Sequence, residues 1–236
     1  MEQKNLLTQL AKIKLLVFDI DGVLVDVSDS YRKAIKETVE FFYKKEIHPD
    51  EIQELKNETG FNNDWDLTQE LLKRKGKILS REKIINKFQS IYWGTNGNGL
   101  IEDETWLLDH KILKTISKKY LLAIFTGRPR LEAEFVLSIN KVISYFNPII
   151  AMEDVKIGKP NPEGLINICN TLSIKPEEVC YLGDTFDDVR SAKSANIIPI
   201  AIIPPMGKDD LYDVFLELGA YAVFKNINIF FEQQIL

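Results

Sequence analysis

The sequence is poor in the residues on which many enzymes depend, with only two cysteines and two histidines among 236 residues. Cys169 lies in a helical pattern and Cys180 in a strand pattern, and their spacing fits no metal or redox motif, so we expect both to be buried. His48 and His110 lie far apart in polar segments, which predicts surface positions. Zinc sites and histidine nucleophiles are therefore disfavoured.

The sequence also lacks a long apolar run, an apolar signal core and an excess of positive charge. No stretch approaches the roughly 20 apolar residues that a membrane helix requires. The net charge is −5, with acids and bases interspersed, which leaves no basic footprint for nucleic acid. The composition, 45% hydrophobic and 28% charged, is that of an ordinary globular protein. We expect a cytoplasmic protein that binds neither membranes nor nucleic acid.

A short apolar run, Leu15-Leu16-Val17-Phe18, predicts a strand that is buried on both faces. Asp19 follows this strand directly, and Asp21 and Gly22 come next. Ligands of open parallel sheets bind beyond the carboxyl ends of the strands. The two carboxylates therefore lie where a functional site is expected, although an acidic turn without function is the alternative.

Beyond this strand the pattern changes twice. Residues 28–99 contain helical patterns, at about 30–45, 49–57, 64–75 and 80–93, and no strand pattern. From residue 105 strands and helices alternate, which implies parallel strands joined by crossovers. The strands are expected at 120–125, 148–151, 178–183, 197–203 and 221–224, and the helices at 106–118, 130–140, after Asn161 with Pro162 at its first position, 186–195 and 208–218. The prediction is an α/β core from residues 1–27 and 100–236, with a helical insertion over 28–99.

Three further groups of polar residues follow predicted strands. Thr126-Gly127-Arg128 comes after the strand at 120–125, and a threonine hydroxyl there can donate to an anion. Lys159 is followed by Pro-Asn-Pro, which stiffens the backbone around it. Asp184 and Asp188 follow the strand at 178–183, and carboxylates are favourable in the first turn of a helix in any case.

Taken together and in order, DIDGVLVD, TGR, GKPNP and GDTFDD resemble the four motifs of the haloacid dehalogenase-like phosphohydrolases. The resemblance implies a Rossmann-like three-layer core with a helical cap inserted after the first strand, as in phosphoglycolate phosphatase-like members. It implies that Asp19 is the nucleophile and Asp21 the general acid/base. Phosphate would bind to Thr126, Gly127 and Lys159, and a metal to Asp19, Asp184 and the backbone carbonyl of Asp21, with Asp188 beside it.

Charge balance in such a site requires a cation. Asp19, Asp184 and Asp188 would face a phosphate dianion, and two unit charges 4 Å apart repel by about 4 kcal/mol at an effective dielectric of 20. Lys159 supplies a single positive charge. A hard, oxygen-only site suits Mg²⁺. We therefore expect a magnesium-dependent phosphatase acting on a small phosphomonoester, as a monomer or homodimer.

Three alternatives remain open. A phosphomutase of the β-phosphoglucomutase type shares all four motifs. The FNNDWDLT stretch at 61–68 resembles a subgroup linked to histidine biosynthesis, which suggests a histidine-pathway phosphatase. A non-catalytic phospho-ligand binder would be expected to lose a motif acid or the lysine, and none is lost. Substrate contacts are expected from Asn62, Asn63, Trp65 and Arg128.

Overall fold

The structure is a computed structural model, and it describes residues 9–56, 58, 61, 63–205 and 211–235. The chain divides into two compact units. One, here called the core unit, consists of Met1–Asp26 and Trp106–Leu236, and the other, the helical unit, of Val27–Thr105. The sequence also predicts a short leading helix at residues 4–12, which falls largely outside the described residues.

The strands are short and mostly apolar. They are β1 (Leu15–Phe18), β2 (Val25–Asp26), β3 (Thr105–Trp106), β4 (Leu121–Phe125), β5 (Ile149–Ile150), β6 (Val179–Gly183), β7 (Ile198–Ile202) and β8 (Ala222–Phe224). The helices are α1 (Tyr31–Tyr43), α2 (Pro49–Lys56), α3 (Asp64–Arg74), α4 (Arg81–Tyr92), α5 (His110–Ile116), α6 (Arg130–Ile139), α7 (Glu163–Leu172), α8 (Phe186–Ser194), α9 (Leu211–Leu218) and α10 (Ile227–Gln234).

The core unit is built on a six-stranded sheet in the order β5-β4-β1-β6-β7-β8, and every pairing within it is parallel. β1 is central, with Leu15 in register with Leu121 of β4 and Val179 of β6. All four residues of β1 are buried, as expected for a strand covered on both faces. The predicted α/β class with a central parallel sheet is confirmed.

Close packing on the sheet explains a glycine inside a helix. A Cβ placed on Gly164 of α7 would lie 2.2 Å from the ring of Phe125 at the end of β4. The helix can therefore approach the sheet only with glycine at this position. The packing holds the end of β4, and with it the turn that follows at Thr126, against the core.

Several element boundaries differ from the expectation. The helix expected over 106–118 begins at His110, because the side chain of Asp109 caps it by accepting hydrogen bonds from the amides of Lys111 and Ile112. β3, which is only two residues long, and α10 were not predicted. Pro162 is the N-cap residue of α7 rather than its first helical residue.

The helical unit contains α1 to α4 and has a buried core of its own. Tyr31 and Tyr92 stack with ring centroids 4.1 Å apart. Ser30 precedes α1, and its hydroxyl donates to buried Glu104 at 2.6 Å rather than capping the helix. A serine or aspartate just before a helix is a typical N-cap, which predicts Ser28 or Asp29 for α1, but the N-cap residue is Ser30. The described helices include none with both the length and the apolar character that crossing a bilayer demands.

Both histidines and both cysteines lie where the sequence predicts them. His48 and His110 are exposed, whereas Cys169 and Cys180 are buried without forming a disulfide. Burial raises the pKa of the Cys169 thiol, and more strongly that of Cys180. Neither thiol is therefore suited to act as a nucleophile near neutral pH.

Candidate active site

Asp19 lies at the carboxyl end of the central strand, and its amide donates to the carbonyl of Leu182 in the neighbouring strand. Its Oδ1 accepts a hydrogen bond from the amide of Ile20 at 2.8 Å, and its Oδ2 lies 2.9 Å from Nζ of Lys159. Burial raises the pKa of Asp19 to about 7, although the charge of Lys159 acts in the opposite direction. Ionisation of this carboxylate near neutral pH therefore requires further positive charge nearby.

Lys159 is buried, and its ammonium group lies among three oxygen acceptors. Nζ lies 2.9 Å from Asp19 Oδ2, 2.7 Å from Asp188 Oδ1 and 3.0 Å from the hydroxyl of Tyr181. Burial disfavours the charged amine, but the carboxylates of Asp188 and Asp19 outweigh it and raise the pKa of Lys159. An ammonium has three N–H donors, so a phosphate oxygen can gain a hydrogen bond from Lys159 only by displacing one of these acceptors.

Asp188 is tied into the protein through both carboxylate oxygens. Oδ1 accepts from Lys159 and from the hydroxyl of Tyr181, at 2.7 and 2.8 Å. Oδ2 accepts from the amides of Asp184 and Thr185 and from the hydroxyl of Thr185. Although burial opposes ionisation, these donors and the charge of Lys159 hold the pKa of Asp188 below its usual value. Asp188 therefore holds Lys159 in place as well as contributing charge.

Tyr181 is a member of this cluster that sequence reasoning missed. Its hydroxyl lies 3.1 Å from the carbonyl of Phe125, in addition to its contacts with Lys159 and Asp188. In the sequence Tyr181 belongs to an apolar run that predicts a buried strand. Nothing in that run predicts that its hydroxyl group forms hydrogen bonds. Burial raises the pKa of this phenol, which stays protonated and able to donate. It links the end of β4 to the lysine.

Asp184 reaches toward the turn that carries Asp21 because Gly22 leaves room for it. Gly22 has φ of +71°, and a Cβ on it would lie 2.0 Å from Oδ2 of Asp184. The turn itself is closed by hydrogen bonds from the amide of Gly22 to Val25 and from the amide of Val25 to Ile20. Glycine is therefore required at position 22 for two reasons: the backbone has a positive φ, and the carboxylate of Asp184 occupies the space of a Cβ.

Three carboxylates in this region fit a divalent cation. Asp19, Asp184 and Asp188 each offer an oxygen, and these oxygens lie within 4.8 Å of one another. An all-oxygen set is the kind that Mg²⁺ prefers. Each oxygen of Asp188 accepts two or more hydrogen bonds from the protein, so we expect Asp188 to support the cation site rather than to bind the ion directly.

We expect Gly22→Ala to raise the Mg²⁺ concentration needed for half-maximal activity by tenfold or more, because the new methyl group displaces the carboxylate of Asp184. The measurement is a magnesium titration of turnover. Gly76→Ala is a matched control, since Gly76 also has a positive φ, +75°, but nothing lies within 4 Å of the added Cβ. Equal effects of the two substitutions on the magnesium requirement would show that backbone strain alone is responsible.

The turn after β4 carries three predicted site residues and brings one of them into contact with Asp21. Thr126 is buried, and its hydroxyl oxygen accepts from the amide of Arg128 at 3.2 Å, with Gly127 between them. The side chain of Arg128 is buried too, and its Nε donates to Oδ1 of Asp21. Arg128 thus contacts the proposed acid/base, and its expected contact with substrate stays a prediction.

The other expected substrate residues belong to the helical unit. Asn62 lies outside the described residues. The side-chain oxygen of Asn63 caps α3 by accepting from the amides of Trp65 and Asp66, at 3.0 and 3.1 Å. The ring of Trp65 lies 5.6 Å from the guanidinium carbon of Arg81. Asn63 and Trp65 thus have structural roles at the start of this helix, and a role in substrate contact stays a prediction.

A family model described as haloacid dehalogenase-like hydrolase matches residues 16–202, a range that contains all four motifs. The chain belongs to this family. The predicted family membership is confirmed, and so is the assignment of the chain as an enzyme.

Relatives of known name agree with the family but differ in activity. Imidazoleglycerol-phosphate dehydratase of Phytophthora nicotianae is 30% identical over 200 residues, which cover 82% of this chain but only 44% of that protein. This chain therefore spans less than half the length of that relative. Pyrophosphatase PpaX of Bacillus mycoides is 20% identical over 198 residues, covering 81% of this chain and 84% of that protein.

Solved structures share the family fold at low sequence identity. A predicted phosphoglycolate phosphatase from Haemophilus somnus superimposes with a TM-score of 0.76 at 17% identity, covering 94% of this chain and 97% of that one. A putative β-phosphoglucomutase from Thermotoga maritima gives 0.68 at 23% identity, covering 95% and 100%. At these identities the likeness concerns the fold alone.

Proposed function

We propose that this chain is a magnesium-dependent phosphatase that hydrolyses a small phosphorylated metabolite through a phosphorylated Asp19. The observation that carries the proposal is the contact between buried Asp19 and Lys159 at the end of the central strand. The class of enzyme, a phosphatase, agrees with the family match and with the names of relatives. Beyond the enzyme class, we propose that the metal is magnesium, that the substrate is a small phosphorylated metabolite and that the residues have the roles described next.

In the first step an oxygen of Asp19 forms a bond to phosphorus and the ester bond to the leaving oxygen breaks. Asp21 gives that oxygen a proton, so the departing group leaves as a neutral alcohol. In the second step Asp21 takes a proton from water, whose oxygen attacks phosphorus and releases Asp19. The hydroxyl of Thr126 and the amide of Gly127 would be neutral donors for the phosphate, since the amides of Thr126 and Arg128 already donate to Ile150 and to the Thr126 hydroxyl.

Lys159 offsets the charge that accumulates around Asp19 during both steps. When Asp19 becomes an acyl phosphate, its Oδ2 loses negative charge and is a weaker acceptor for the ammonium. Lys159 can then transfer that hydrogen bond to a phosphoryl oxygen while Asp188 and Tyr181 keep it in place. Mg²⁺, held by Asp19, Asp184 and the carbonyl of Asp21, would supply the remaining positive charge for the phosphate and the nucleophile.

The helical unit is where we expect substrate selection, since the residues assigned to the chemistry all belong to the core unit. A histidine-pathway substrate is a second candidate, favoured by the similarity to an imidazoleglycerol-phosphate dehydratase over 82% of this chain. Because that relative is more than twice as long as the matched region, its dehydratase activity is not carried over. The similarity does suggest one substrate to test, a phosphate ester that contains an imidazole ring.

The test is a screen with purified protein, Mg²⁺ and a panel of phosphate compounds, measuring inorganic phosphate. The panel includes an aryl phosphate, phosphoglycolate, imidazoleglycerol phosphate, pyrophosphate and β-glucose 1-phosphate. We expect phosphate release that EDTA abolishes. Conversion of β-glucose 1-phosphate into its isomer without phosphate release would identify a phosphomutase, and inactivity on the whole panel would contradict the proposal.

A further inference from the structure

A fully buried arginine lies behind the proposed acid/base. The side chain of Arg128 has 0% exposure, whereas that of its partner Asp21 has 23%. The guanidinium therefore holds the carboxyl group from the protein side, and the other side of Asp21 faces outward. Burying a charge carries a desolvation cost, which an apolar residue at this position would avoid.

Backbone contacts fix the arginine at its base. Its amide donates to the hydroxyl of Thr126 at 3.2 Å, and its carbonyl accepts from the amide of Met152 at 2.9 Å. The amide of Thr126 in turn donates to the carbonyl of Ile150 in β5, at 3.0 Å. These hydrogen bonds hold the turn that carries Arg128 against the end of the sheet, which limits where the guanidinium group can lie.

We propose that Arg128 is the positioning residue of Asp21 and sets which of its carboxyl oxygens exchanges the proton. The inference rests on the proposed phosphatase function. The contact engages Oδ1 of Asp21, so Oδ2 is the oxygen that carries the proton to the leaving group. Arginine suits the task because its planar fork fixes direction and its charge is permanent.

The proton and charge balance follows from this arrangement. As the bond from Asp19 to phosphorus forms, the ester bond breaks and its electron pair goes to the leaving oxygen, which takes the proton from Oδ2. Asp21 is then a carboxylate beside the guanidinium of Arg128. That carboxylate accepts a proton from the attacking water in the second step, which restores the starting state.

The test uses a series of aryl phosphates with leaving groups from dinitrophenol to phenol, in Mg²⁺. The ratio kcat/KM reports the first chemical step, in which a poor leaving group needs the proton and a good one does not. For Arg128→Lys and Arg128→Met we expect kcat/KM to fall by about a hundredfold or more with phenyl phosphate, and by less than tenfold with the dinitrophenyl ester. Asp21→Asn should show the same pattern, and Asp21→Asn with Arg128→Lys should lose no more than Asp21→Asn alone.

Controls separate positioning from folding. Arg130→Met removes a nearby guanidinium that pairs with Glu134 and Asp154, and it should leave the dependence on leaving group unchanged. Arg128→Lys retains the buried charge and keeps the test usable if Arg128→Met does not fold. An equal loss with every ester, or no loss, would overturn the inference and leave the phosphatase proposal standing. Inactivity of the wild-type protein with the whole series would overturn both.

Discussion

Replacing Asp19 by asparagine should reduce phosphatase turnover to background, at least about ten-thousandfold below wild type. Asparagine has the same shape, but its amide is no nucleophile and it removes a charged ligand of the proposed cation. The measurement is phosphate release in saturating Mg²⁺ with the best substrate of the screen. Residual turnover within tenfold of wild type would rule out the covalent mechanism.

The same substitution should leave the protein folded, which makes the loss interpretable. Burial raises the pKa of Asp19 to about 7, above its value in the unfolded chain. Between about pH 4 and 7 the folded state therefore binds more protons than the unfolded state, and the contribution of Asp19 to stability falls as the pH rises. Asparagine removes this cost. We expect the melting temperature of Asp19→Asn at pH 8, in metal-free buffer, to equal or exceed that of wild type.

Replacing Lys159 by methionine should lower turnover by about a thousandfold, because the charge opposite the nucleophile and phosphate is lost. It should also lower the free energy of unfolding by about 3 kcal/mol at pH 8, since Asp19 and Asp188 would be left buried without their shared partner. Both effects are measurable on one preparation, by a kinetic assay and by denaturant unfolding.

The stability deficit of Lys159→Met should shrink as the pH is lowered from 8 to 5. Without the ammonium, the folded-state pKa values of the two buried carboxyl groups rise, so protons stabilise the folded protein over this range. Lys73→Met is the control, since the exposed ammonium group of Lys73 contacts Glu70 at the surface. A loss of activity below tenfold in Lys159→Met would show that another cation neutralises the phosphate.

The placement of Asp19, Asp184 and Asp188 could be predicted because parallel strands end at the same edge of a sheet. Asp19 follows β1 and the other two follow β6, and these two strands are apolar in sequence and adjacent in the sheet. The order of motifs then fixes which residues meet. The alternation of helix and strand predicts the parallel sheet on which this placement depends.

The hydrogen bonds and ion pairs that hold these side chains in place could not be predicted. Tyr181 lies within a strand, where an aromatic residue signals packing rather than a hydrogen bond to Lys159. The ion pair between Asp21 and Arg128 joins two turns that are distant in sequence, and its existence depends on side-chain rotamers. The double role of Asp188 is hidden for the same reason, since a carboxylate in the first turn of a helix has several uses.

The position of β1 in the sheet also constrains the order in which the protein folds during synthesis. Both neighbours of β1 lie far downstream, with Leu15 paired to Leu121 and to Val179. The ribosome must therefore translate the chain through β6 before the strand that carries Asp19 is fully paired, whereas Val27–Thr105 can complete its own contacts earlier. The apolar Leu15–Phe18 segment has two open edges until β4 is synthesised and one until β6 is synthesised, so a ribosome stalled before β6 exposes a strand edge prone to aggregation.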